Sequence, residues 1–397
     1  MKTLSQSPTD PGFVKDPYPF YARARAEGPL VFWEDYDLPV TTTFEATNTI
    51  LRDRRFGREV PPELAPEIAP HLAPFYAVEA HSMLELEPPR HTRLRGLVLR
   101  AFTSRRIAAL APEIEALCHQ LIDEFPDEPF DLLPSYAQKI PVIIIARLLG
   151  VPETMADQLL AWSNAMVAMY QARRTREIED AAVSATQDFV TFMRGYVDER
   201  RAKPADDLIT HLIAAEEDGE KLSTDELITT CILLLNAGHE ATVHTMGNGI
   251  KALLEHGCGP EVLTPDKIDG TVEEILRYDP PLHMFTRHAY EEVELFGHRF
   301  QRGDKVACLL GAANRDPQDW PAPDRFDPSR PISANLAFGV GLHFCVGAPL
   351  ARLELRTALP ALWAGLPSLR LDERPRYADL YHFHGLMALR VRHPRGQ

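Results

Sequence analysis

The chain has 397 residues, 45% of them hydrophobic, and 57 acidic against 42 basic side chains give a formal net charge of −15. Such an acidic balance argues against general nucleic-acid affinity, which needs clustered surplus Lys and Arg, and no run approaches the roughly 20 apolar residues of a membrane span. Met1 to Asp10 is polar, and the five cysteines are scattered without a CxxC pair, so a leader, a disulfide framework and a zinc site are not expected, and the predicted location is cytoplasmic.

In chain order, Asp16-Pro17-Tyr18-Pro19 opens an amphipathic helix predicted to reach about Gly28, and Leu30 to Thr43 reads as a short β-hairpin. From Val60 to Ala80 the prolines 61, 62, 66, 70 and 74 forbid one long regular helix. A loop over a pocket is predicted there. Arg90, Arg93, Arg95, Arg100, Arg105 and Arg106 then crowd a single stretch, which for most of them reads as a solvated helix face. Trp162, Met166, Met169 and Tyr170 share one helix face, as core packing or as a pocket entrance.

The longest helix is predicted from Thr224 to about His256. Ser223 and Glu226 have capping-box spacing at its start, and Gly257 follows its end. At 1.5 Å per residue such a helix spans roughly 50 Å, enough to cross the molecule. Its apolar run Cys231 to Leu235 gives way to Asn236-Ala237-Gly238-His239-Glu240-Ala241-Thr242. Gly238 weakens the helix locally, so a kink that admits a flat ligand or a water is expected. Further on, Glu274 and Arg277 stand at i and i+3 on one helix face, ended by Asp279-Pro280-Pro281. No repeat or low-complexity linker interrupts the chain, so one domain over 1–397 is expected, mainly α with a small β-rich portion.

The most telling segment is Phe338 to Gly347, Phe-Gly-Val-Gly-Leu-His-Phe-Cys-Val-Gly. Gly339, Gly341 and Gly347 permit dihedrals and close approaches that a Cβ would block, leaving backbone N–H groups free to face the Cys345 sulfur. Its bland alternative is a structural cysteine in a glycine-rich turn.

This segment resembles the haem-binding signature of the cytochromes P-450, matching it at Phe338, Gly339, Gly341, His343, Cys345 and Gly347. Ala237 to Thr242 resembles the oxygen-activation segment of the same family's central helix. Glu240 matches its proton-relaying acid, whereas Ala241 stands where the family usually has threonine and Thr242 follows it. Glu274-Ile275-Leu276-Arg277 resembles the family's Glu-x-x-Arg helix and Pro323-Asp324-Arg325-Phe326 its meander loop, which implies a buried network of Glu274, Arg277 and Arg325. His91, Arg95 and Arg287 match residues that hold the haem carboxylates, and His343 is within reach of one.

The resemblance covers nearly the whole chain. It implies the cytochrome P-450 fold, haem b ligated by Cys345, and insertion of one oxygen atom of O2 into a small or medium organic substrate. A thiolate ligand donates electron density that favours O–O cleavage. Pocket walls are expected from Phe75, Tyr76, Leu233, Asn236, Ala237, His283, Phe285 and Phe383. Electrons would come from NAD(P)H through a separate [2Fe-2S] ferredoxin or flavodoxin and its reductase, since the chain ends at Gln397 with no reductase fused, and a monomer is expected. A peroxide-driven or redox-neutral haem-thiolate enzyme, or a non-enzymatic haem sensor, would share the ligation.

Overall fold

The computed structural model describes residues 1–170, 174–217 and 219–393. Six strands form its main sheet: β1 (Lys2–Leu4), β2 (Leu30–Trp33), β3 (Leu38–Thr41), β4 (Phe56–Gly57), β5 (Met284–Ala289) and β6 (Lys305–Leu309), in the order β1-β2-β3-β6-β5-β4. The expected hairpin is β2 antiparallel to β3, with Leu30 opposite Thr41 and Trp33 opposite Leu38. The parallel β3–β6 and antiparallel β6–β5 pairings bring chain segments some 250 residues apart into one sheet. Trp33 is fully buried there against Phe13 and Phe20.

The rest is helical. The elements used below are α1 (Tyr18–Glu27), α2 (Phe44–Arg52), α3 (Ala73–Glu79), α4 (Arg90–Ala101), α5 (Ala111–Asp123), α6 (Lys139–Leu149), α7 (Ala156–Val167), α8 (Arg176–Ala202), α9 (Thr224–Glu255), α10 (Ile268–Tyr278) and α11 (Ala348–Gly365). The proline-dense segment holds two single 3-10 turns, Pro62–Leu64 and Pro70–Leu72, before α3, as its missing N–H donors require. Among the described residues no helix is long and apolar enough to cross a membrane.

Helix α9 is the axis of the molecule, packed by α6, α7, α8 and α10. Both halves of its capping box are formed: the Glu226 N–H donates to Ser223 Oγ at 3.2 Å, and the Ser223 N–H donates to Glu226 Oε2 at 2.8 Å. Gly257, at φ +65°, takes the chain away from its C-terminus. At Gly238, where a kink is expected, α9 continues as one helix. The Thr242 and Thr245 hydroxyls bond back to the Gly238 and Ala241 carbonyls at 3.0 and 2.7 Å, adding acceptor contacts without opening the ladder.

Candidate active site

The cysteine loop is shaped by its glycines. Gly339 and Gly341 sit at φ +65° and +76°, and a Cβ on Gly341 would come within 2.7 Å of the Leu51 carbonyl at the end of α2. The Cys345 N–H closes the loop on the Phe338 carbonyl at 3.1 Å. Helix α11 starts three residues later, so the Gly347 and Ala348 N–H groups point at the Cys345 sulfur. Burial pushes this thiol up, and those two N–H groups with the Arg95 and Arg352 guanidiniums pull against it. Cys345 still ends above the ordinary thiol range, and Cys118, Cys231 and Cys308 are likewise pushed up, to about 11, 12 and 12, chiefly by burial. Among the cysteines with resolved shifts, Cys345 alone has two positive side chains opposing that rise.

A set of cationic and donor groups gathers beside the loop. Arg95 donates to the Phe344 carbonyl at 2.7 Å, and the His91 and His343 rings lie 4.4 Å apart. Arg287, only 3% exposed, is hydrogen-bonded to the Thr286 carbonyl and has no carboxylate in contact among the described residues. Burial, helped by the neighbouring Arg58, lowers its pKa to about 10. His91 Nδ1 and Arg58 Nε are buried without any partner. Orphaned donors around a buried cation fit a ligand that brings its own carboxylates. Two members had no signal in the sequence: Glu87, which bonds His343 Nε2 at 2.8 Å, and Arg58, whose N–H donates to Glu87 at 2.7 Å.

The same loop is braced from α10. Arg277 makes a two-pronged pair with Glu274 at 2.7 and 2.8 Å, both side chains almost fully buried, and donates to the carbonyls of Asn314, Pro323 and Arg325. Arg325 enters only through that carbonyl. Its side chain is 73% exposed and reaches Asp327, so its expected place in the ion network is corrected. Arg330, 11% exposed, fills the place, with Nε 3.3 Å from Glu274. Arg352 of α11 lies over the Phe338 ring and pairs with Glu273 at 2.5 Å, tying the helix after the loop to α10.

On α9, Leu233, Ala237, Ala241 and His244 remain accessible, although Cys231, Ile232, Leu234, Leu235, His239, Thr242 and Val243 around them are buried. Ala237 is the most open, at the middle of the most enclosed helix. Spacings of four, four and three residues make one face. An accessible alanine face inside a buried helix is room for a flat ligand, so the residues present on α9 and in the cysteine loop fit a haem.

Glu240 accepts from, or donates to, His244 Nε2 at 3.2 Å, one turn on. Burial pushes the Glu240 carboxyl up, but the His244 bond and the charges of His244 and His239 outweigh it, leaving the group below the usual carboxylate range. Asn236 donates to Met166 Sδ at 3.7 Å and leaves its own Oδ1 unpaired.

The expected pocket walls divide. Phe75 and Tyr76 line a pocket of about 240 Å³ with Arg58, Glu79, Glu85, Met169 and Tyr170. Phe285 sits beneath it, against Gly339 of the cysteine loop and under the Arg58 guanidinium. Phe383 bridges to Leu282, its ring 6.2 Å from His244. Leu233, Asn236 and Ala237 belong to α9 and do not line that pocket. His283 is no wall at all: it is fully buried, 2.9 Å from the Tyr21 hydroxyl and 4.0 Å from Asp279. The Pro280-Pro281 turn aims it at α1, where it joins His384 and Tyr381 in a polar core. Of the predicted aromatic and sulfur stripe, Trp162 stacks on Phe189 and Phe192 in the α7–α8 interface, whereas Met169 and Tyr170 line the pocket.

Comparison with known proteins agrees along the chain. The family described as Cytochrome P450 matches residues 69–262 and 268–363. "Cytochrome P450 monooxygenase PikC" of Streptomyces venezuelae is 38% identical over 97% of this chain and 93% of its own length. "6-deoxyerythronolide B hydroxylase" of Saccharopolyspora erythraea is 35% identical over 94% and 93%. Among solved structures, P450BioI in complex with a hexadec-9Z-enoic acid ligated acyl carrier protein superposes with a TM-score of 0.90 at 34% identity, covering 96% of this chain and 99% of that one. A family match through the central helix and the cysteine loop, and relatives alike from end to end, place this chain in the cytochrome P450 family as a monooxygenase that works with haem and O2.

Proposed function

We propose that Cys345 is the proximal ligand of haem b, that His91, Arg95, Arg287 and His343 hold its carboxylates, and that the enzyme hydroxylates a small or medium organic molecule. The observation that carries this is the Cys345 sulfur, faced by the Gly347 and Ala348 N–H groups at the N-terminus of α11. Those donors and the helix dipole favour a thiolate over a thiol. Bound there, haem supplies the oxygen chemistry, which no side chain of the protein can perform.

The protein's own part is placement and protons. Arg287 is held by the β5–β6 pairing, Val306 opposite it, and its guanidinium would hold a haem carboxylate. Phe338 and Gly339, with Phe285 against the latter, form the wall of the loop. The open face at Ala237 and Ala241 would leave room for haem and substrate against α9. Glu240 passes a proton inward and is reprotonated through His244, because the pair is hydrogen-bonded and partly accessible. Substrate approaches past Phe75, Tyr76 and Tyr170, with Leu233, Asn236 and Phe383 deeper in. The hydroxylation of 6-deoxyerythronolide B by a relative is consistent with an organic-molecule substrate.

Electrons reach the enzyme from NAD(P)H through a ferredoxin or flavodoxin and its reductase, docking beside Arg100 of α4 and Arg356 of α11, the latter 3.2 Å from Asp269. A second reading, peroxide-driven turnover, is favoured by one feature: alanine at 241 supplies no hydroxyl, and that of Thr242 is bonded to Gly238. Product formation with a ferredoxin, its reductase and NADPH, compared with hydrogen peroxide alone, decides between them. The first reading predicts product only with the electron donors; product at equal or greater rate with peroxide would replace it by the second.

A further inference from the structure

The pocket lined by Phe75 and Tyr76 has an unbalanced charge. Three carboxylates and one guanidinium reach it: Glu59, Glu79, Glu85 and Arg58. Glu85 is neutralised by Arg58 at 2.7 Å and Glu59 by Arg90 at 2.5 Å. Glu79 accepts a hydrogen bond from the Tyr170 hydroxyl at 2.7 Å, and among the described residues no cation pairs with it. Burial and the nearby Glu85 push its pKa up to about 7, against the pull of the Tyr170 bond and Arg58.

An unpaired carboxylate at the wall of a 240 Å³ cavity is costly to keep charged unless something entering the cavity neutralises it. The neighbouring surfaces narrow what that is. Phe75 and Tyr76 stand edge to face with ring centroids 5.3 Å apart, and Tyr170 is 39% exposed at the rim. Aromatic faces beside a carboxylate attract a cation and gain nothing from an anion. Resting on the reading of this pocket as the way to the haem, we propose that it is a subsite for a positively charged amine or ammonium group of the substrate, with Glu79 as its counter-ion and Tyr76 and Tyr170 as its aromatic walls.

The test is isothermal titration calorimetry on the holoprotein with three probes of one chain length: decyltrimethylammonium, decanol and decanoate. A quaternary nitrogen has no lone pair, so it cannot ligate iron, and its charge does not change with pH. The wild-type protein should bind the ammonium at least about tenfold more tightly than the alcohol and the carboxylate most weakly. Glu79→Gln should bring ammonium and alcohol to within about twofold of each other while leaving alcohol affinity unchanged, and Glu79→Asp should keep part of the preference. Equal binding of ammonium and alcohol by the wild type, absence of ammonium binding, or a preference that survives in Glu79→Gln would each overturn the proposal. The haem Soret band, read in the same samples, keeps the two readings apart. Glu79-dependent ammonium binding with an unmoved Soret band leaves the subsite standing and removes this pocket as the route to the haem.

Discussion

Thr242 donates its hydroxyl to the Gly238 carbonyl at 3.0 Å, one turn back along α9. With Ala241 before it, the hydroxyl nearest the family's usual threonine position is therefore engaged with backbone, while Glu240 is bonded to His244 at 3.2 Å. Glu240→Gln should lower turnover by about a hundredfold, the low end of what a general acid or base contributes, and Thr242→Ala should change it by less than about twofold. Product per reducing equivalent, with hydrogen peroxide assayed alongside, is the measurement. A collapse of coupling in Thr242→Ala with Glu240→Gln unaffected would reverse the two roles.

The Glu274 network predicts an ordering of three arginines. Arg277→Ala leaves the buried Glu274 carboxylate short of its main partner and should cost about 3–5 kcal/mol, with loss of bound haem. Arg330→Ala should cost less, on the order of 1–2 kcal/mol, since Arg330 makes one longer contact to the same carboxylate. Arg325→Ala should lie within about 0.5 kcal/mol of wild type, as exposed side chains do. Urea unfolding with haem content measured in parallel checks the order; an Arg325 variant worse than Arg330 would restore the expectation from sequence spacing.

Glu79 also predicts a pH dependence. Its carboxyl titrates near 7 in the fold against an ordinary 4.5, so between those values the unfolded chain holds fewer protons than the folded one, and this group's contribution to stability falls as pH rises. A shift of that size has a ceiling of about 3 kcal/mol, and partial exposure at the pocket mouth brings it to the order of 1–2 kcal/mol. Glu79→Gln should accordingly match wild type near pH 4 and exceed it at pH 8. A variant less stable than wild type at pH 8 would show that the carboxylate is stabilised by its surroundings.

What the sequence made legible is what local chemistry dictates. Ser223 with Glu226 and the terminal Gly257 bounded α9 to within a residue, because caps act through neighbours three or four positions away. The glycines around Cys345 announced a tight loop for the same reason. What it hid depends on long-range direction. Arg325 and Arg330 are five residues apart, and nothing local says which guanidinium folds back under α10. His283 was aimed by a Pro-Pro turn into the polar core with Tyr21. Arg58 and Glu87 lie in irregular segments 29 positions apart, joined only when the chain folds. At Gly238 the helix continues, because tertiary packing of α9 overrides the modest helix cost of one glycine.

The central claim is that Cys345 alone supplies the thiolate for haem. The direct measurement is the absorption spectrum of the dithionite-reduced, CO-bound protein for Cys345→Ser beside variants with Cys118, Cys231, Cys258 or Cys308 replaced by serine. The four controls should keep the strongly red-shifted Soret band of thiolate-ligated haem, and Cys345→Ser should lose it while still binding haem through the carboxylate clamps. A Cys345→Ser protein that retains the red-shifted band would contradict the account.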